Sequence, residues 1–202
     1  MNIYVETNFV LELVFQQEQF QSCEHILQIC EAGRAKLVIP AYSFAEPHEK
    51  LSRQANERKK LQDSLQKELS QLRRTASYTA RISSIEDIAS LLLQSNEEER
   101  QRFAQYRDRL LNSAEVIALS VDMLTEAARC EAPYNLKPQD ALIYASVIGH
   151  LRQHHPSVAC FLNRNTKDFN NPDIVDELNN YNCRMISQFG DGYGFIRSQL
   201  QP

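Results

Sequence analysis

Long apolar runs are missing from this chain. None approaches the roughly 20 residues that a membrane-spanning helix needs, so no membrane role is expected of the 202 residues. The opening residues carry no cluster of positive charge ahead of an apolar stretch, and a secretory signal is not expected either. The five cysteines, Cys23, Cys30, Cys130, Cys160 and Cys183, are odd in number, widely spaced and without a CxxC pair. That pattern reads as reduced thiols in a cytoplasmic protein. Gly190, Gly192 and Gly194 come after a strand-like run but lack both the GxGxxG spacing and the lysine of a phosphate-binding loop. They predict a flexible loop, closed by a turn at Phe195-Ile196-Arg197. A surplus of positive charge is absent too, since the net charge is −4. The chain as a whole therefore shows no nucleic-acid footprint. Locally the balance differs: from Lys50 to Arg81 there are nine Lys/Arg against three Asp/Glu. A basic face of that kind suits a phosphate-bearing substrate or simply a solvated helix.

The chain does have a βα alternation. Ile3 to Val5 predicts a short buried strand, and helices come next at about 8–15 and 20–32, the second stopped by Gly33. Lys36 to Ile39 predicts a second strand closed by Pro40, and this alternation implies βαβ units in a parallel sheet. From Ser43 to Arg74 glycine and proline are scarce, and Leu61, Leu65, Leu69 and Leu72 fall on one helical stripe. Ser84 and Asp87 resemble a capping box opening a helix through Leu93. A further helical pattern runs from about Glu97 towards Cys130, broken near Asn112. This middle block predicts an antiparallel helical arm, its stripe equally compatible with an intramolecular hairpin and a homodimer. Pro138 then opens a helix whose apolar face is Ala141, Leu142, Ala145, Ile148 and Leu151. Val158–Leu162 predicts a strand, Pro172–Asn180 a helix, and Cys183–Ile186 a last strand. His150, His154 and His155 lie at a helix end with no acid or cysteine motif beside them, and read as exposed polar residues.

The first strand ends on Glu6. A carboxylate there is costly unless it is paired or binds a cation. Further acids, Glu46, Asp140 and Asp168, stand where strand and helix patterns meet. Such positions converge in an α/β fold, because ligands bind outside the carboxyl ends of the strands. Taken singly, Glu46 and Asp140 would be acids favoured by a helix N-terminus, Asp168 a loop or cap residue, and Asn8 a turn residue.

Taken together, Val5-Glu6-Thr7-Asn8, Ile39-Pro40-Ala41-Tyr42-Ser43-Phe44-Ala45-Glu46, Pro138-Gln139-Asp140-Ala141-Leu142-Ile143-Tyr144-Ala145 and Asn163-Arg164-Asn165-Thr166-Lys167-Asp168-Phe169 resemble the PIN domain family in order and spacing. The family is a nuclease fold of toxin ribonucleases and RNA-processing enzymes. Its first strand usually ends in Asp, where this chain has Glu6. The resemblance implies an α/β fold, a central parallel sheet flanked by helices, in a single domain spanning 1–202 with a helical insertion at about 50–130. It implies a Mg²⁺- or Mn²⁺-dependent endoribonuclease whose metal and catalytic residues are Glu6, Glu46, Asp140 and Asp168, with Asn8, Asn163 and Asn165 as polar pocket residues. Either Asn165 or Asp168 takes the fourth acid's place. RNA is the implied substrate and, for toxin members, an antitoxin protein the implied partner. The longer Glu6 side chain and the large arm also fit an inactive PIN-like module that binds RNA or protein without cutting.

Overall fold

Short apolar strands separated by amphipathic helices are what a sheet buried on both faces requires, and the chain is organised in that way. The computed structural model describes residues 1–165, 169 and 171–201, with 79–87 and 89 described in backbone only. The elements are β1 (Asn2–Val5), α1 (Thr7–Phe15), α2 (Phe20–Glu31), β2 (Lys36–Pro40), α3 (Tyr42–Leu72), α4 (Thr79–Ser113), β3 (Ala114–Ile117), α5 (Val121–Tyr134), α6 (Pro138–His154), β4 (Ala159–Leu162), α7 (Pro172–Asn180), β5 (Cys183–Ile186) and α8 (Phe189–Leu200). They form two compact units, one of Met1–Glu46 with Tyr106–Pro202 and one of Pro47–Gln105. No helix among the described residues is long and apolar enough to cross a membrane.

In the first unit all five strands are parallel, in the order β3-β2-β1-β4-β5. The chain winds outward from β1 through β2 to β3, then crosses back to place β4 on the other flank of β1. The connection thus reverses between β1 and β4, and a crevice opens at their carboxyl ends. Side chains alternate across the sheet. Tyr4, Val38, Phe161 and Cys183 enter one core with buried residues of α5, α6 and α7. Leu162 faces the opposite way and meets α8. On that side Phe9 of α1 and Phe189 of α8 pack edge to face, 5.6 Å between ring centres.

The helical expectation from Glu97 to Cys130 fails in its middle. The break near Asn112 is real, since α4 ends at Ser113. The next residues form strand β3, parallel to β2 with Glu115 beside Val38. Sheet pairing overrides the helical preference of Ala114 and Glu115, helped by the β-branched Val116 and Ile117. The glycine-rich tail is a second correction. It is helix α8, not a flexible loop, and it buries Phe189, Gly192 and Ile196 at helical spacing. A Cβ on Gly192 would lie 2.6 Å from Leu162 Cδ2, so glycine is there to let the helix touch the sheet. Tertiary contact outweighs its poor helix propensity.

The second unit is an antiparallel pair formed by the parts of α3 and α4 within it. Arg58 of α3 holds Glu99 of α4 through paired bonds of 2.7 and 3.0 Å, and Asn96 at 2.8 Å. His48 approaches Phe103 at 6.3 Å. Within this unit the inward seam is not the whole leucine stripe: Leu69 is buried and Leu65 half-buried, while Leu61 and Leu72 are exposed. The backbone is already helical from Thr79, so α4 does not begin at Ser84. The side chains of the Ser84–Asp87 capping box lie outside the described residues.

Candidate active site

Glu6 occupies the first position beyond β1, at the reversal point of the sheet. It is 4% exposed and serves as the N-cap of α1, its Oε2 accepting the Asn8 N–H at 2.9 Å. Glutamate is not among the favoured cap residues, but its longer arm still reaches. The other oxygen, Oε1, is buried without a hydrogen-bond partner. Burial pushes the Glu6 carboxyl up to about 7 against the Asn8 contacts, and the charges of Glu46 and Asp140 push the same way. Glu46 and Asp140 thus both lie near enough for their charges to act on Glu6.

Glu46 is in the second turn of α3 rather than at its start, because the helix already begins at Tyr42. It accepts the Thr7 hydroxyl at 2.5 Å. Asp140 is the third residue of α6, behind Pro138 in the first turn, where a negative charge is favoured by the helix dipole. Its Oδ1 accepts from the Asn165 amide at 3.1 Å. Asn165 in turn donates its backbone N–H to Asn163 Oδ1 at 2.7 Å. Asn163 is 2% exposed, and its Nδ2 has no partner. Six of the expected residues, Glu6, Asn8, Glu46, Asp140, Asn163 and Asn165, are therefore linked by hydrogen bonds or by charge at one end of the sheet. Asp168 lies outside the described residues.

Sequence reasoning missed several neighbours. Thr7 bridges the first two acidic segments through Glu46, and its place directly after Glu6 was the available signal. Glu12, 1% exposed, accepts Arg164 Nη1 at 2.6 Å and the Gln19 N–H at 2.5 Å. Gln19 Oε1 accepts the Phe189 N–H at 2.6 Å. This brace ties the loop after β4 to α1 and α8, and no local pattern announces it. Ser43 Oγ is buried without a partner at the start of α3.

A divalent ion is tested by the donors present. They are carboxylate and amide oxygens, the kind that hard cations prefer, and Glu6 Oε1 is a buried donor atom awaiting a partner. The acids do not crowd together. Among the described residues, the group whose ligand atoms all lie within 4.8 Å of one another is Glu115, His150 and His154, not the three acids. Such spacing suits an ion that keeps several of its waters, as Mg²⁺ does.

The PIN domain family model matches residues 3–169, most of the chain and all of the acidic and amide residues of the pocket. The chain belongs to the PIN domain family. Neither curated proteins nor solved structures provide a match. PIN domains are generally nucleases that act on RNA and typically bind divalent metals. The parallel sheet with helices on both faces is the α/β architecture the family resemblance implied.

Proposed function

We propose that this PIN domain is a Mg²⁺- or Mn²⁺-dependent endoribonuclease. The observation that carries the proposal is Glu6: a buried carboxylate with one unpartnered oxygen and a pKa pushed up to about 7, beside two further acids. Glu6, Glu46 and Asp140 would hold the ion, with Asp168 as the remaining acid. When bound, the ion supplies positive charge to the phosphoryl oxygens and lowers the pKa of a coordinated water. The chain's own groups do the positioning. Asn165 fixes the Asp140 carboxylate, Thr7 fixes Glu46, and Asn8 holds Glu6. Glu46, whose Oε2 accepts the Thr7 hydroxyl, would hold the ion through a water and orient that water with Oε1.

The test is cleavage of RNA by the purified chain with Mn²⁺. Wild type is expected to cut and Asp140→Asn is expected not to. Persistent cleavage by the Asp140→Asn protein would overturn the assignment. A toxin-type role with an antitoxin protein is the finer form of this reading, supported by the resemblance; growth arrest on expression, absent with Asp140→Asn, tests it. One observation favours a second reading, a module that retains RNA without cutting it: Glu6 Oε2 is committed to capping α1. In that case wild type binds RNA without turnover, and Glu6→Asp gains cleavage.

A further inference from the structure

At the opposite end of the sheet from Glu6, three side chains converge that no part of the nuclease reading uses. Glu115 of β3 and His150 and His154 of α6 offer ligand atoms all within 4.8 Å of one another. We propose that these residues form a second metal site, selective for a borderline ion of the Zn²⁺ class, which clasps the edge strand β3 to the end of α6.

The histidines are four residues apart on one helix, so their rings face the same way. They stack with ring centres 3.8 Å apart and planes 11° from parallel. Each has its Nδ1 occupied. His154 Nδ1 lies 3.0 Å from the His150 carbonyl oxygen. A carbonyl only accepts, so Nδ1 carries the hydrogen and Nε2 the lone pair. His150 Nδ1 lies 2.8 Å from the Tyr4 hydroxyl, which serves as donor or acceptor, and His150 Nε2 points at Glu115 Oε2, 3.1 Å away. A ligating histidine almost always anchors its other ring nitrogen in this manner.

Two imidazoles and one carboxylate suit Zn²⁺, Ni²⁺ or Co²⁺, whereas the all-oxygen pocket suits Mg²⁺ or Mn²⁺. His150 is buried, Glu115 half-buried and His154 exposed, so an ion can enter and keep water in its remaining position. Asp140 and His150 are ten residues apart on α6, a rise of about 15 Å, and the two sites cannot share an ion. The five cysteines are all buried. Burial raises their thiol pKa values, so they offer no competing thiolate. The competitor is Lys36, whose ammonium sits 2.6 Å from Glu115 Oε2 with a side chain 50% exposed. A half-exposed lysine in a pair of this kind leaves at little cost.

The experiment is Zn²⁺ titration of the full chain by calorimetry, in wild type and in Asp140→Asn, with thermal unfolding measured in parallel. Both proteins are expected to bind one Zn²⁺ with the same affinity and to melt higher when it is bound. His154→Ala, an exposed change that leaves folding intact, is expected to weaken binding at least about tenfold and to remove the thermal shift. Lys36→Met is expected to tighten binding severalfold by removing the rival cation. No Zn²⁺ uptake by wild type would overturn the proposal and leave a Lys36–Glu115–His150–Tyr4 hydrogen-bonded network only. Uptake unchanged by both His154→Ala and Glu115→Gln would overturn it equally.

Discussion

The two ends of this sheet solve the problem of a buried titratable group in opposite ways. At the carboxyl ends of the strands Glu6 is left half-satisfied, one oxygen capping a helix and the other without a partner. At the amino-terminal end His150 is fully engaged, with Tyr4 on one ring nitrogen and Glu115 on the other. The Glu115 carboxyl is itself held below its usual range, chiefly by Lys36. The first arrangement stores unfavourable charge that a hard cation would relieve. The second is already quiet, and an ion must displace a lysine to enter. Function is thus expected where the fold is least comfortable.

The sharpest way to break this comparison is to disable one end and read both. Asp140→Asn is expected to lower Mn²⁺-dependent RNA cleavage at least about a thousandfold, about 4 kcal/mol of activation free energy, while Zn²⁺ binding at the other end stays unchanged. Loss of both together would mean that the ends are not independent.

The next effect is on stability. The Glu6 carboxyl titrates at about 7 when folded and near 4.5 otherwise. The folded state therefore keeps its proton where the unfolded chain has lost it. Stability is full below pH 4.5 and declines as pH rises through about 7, by up to about 3 kcal/mol in chelator. Mn²⁺ is expected to restore it at pH 8 but not at pH 5. In Glu6→Gln the decline and the Mn²⁺ rescue should both vanish, which thermal melts across pH would detect.

Smaller again is Tyr4→Phe. It removes the hydroxyl on His150 Nδ1 and is expected to weaken Zn²⁺ binding about tenfold, with a stability cost of about 1 kcal/mol, and no change in RNA cleavage. The smallest is Asn165→Ala, which removes the amide that donates to Asp140 Oδ1 and is expected to reduce cleavage by roughly tenfold or less; single-turnover assays would resolve it.

Much of the fold was legible because its strands are apolar on both faces and its helices are punctuated. Gly33 does stop α2 in a left-handed conformation, and Pro138 does open α6. The acids at strand ends were legible for the same reason, since polar residues interrupt apolar runs there. Three things were not. β3 is four residues long and begins with two helix-favouring residues, so only its partner β2 makes it a strand. Helix α8 looks like a loop until Leu162 shows why glycine is needed at 192. His150 read as exposed because its acid partner, Glu115, comes from that unrecognised strand; the residue is 5% exposed. Each failure has one cause: the deciding contact comes from residues distant in sequence.

The strand order carries a consequence for how the molecule comes into being. β1 leaves the ribosome first, yet its partner β4 begins only at Ala159, and Asn165 must emerge before Asp140 is held. Closing so long a loop is slow compared with local helix formation. A growing chain therefore keeps the acidic pocket incomplete until β4 and Asn165 have been made, and the proposed metal centre would form only once four of the five strands had left the ribosome.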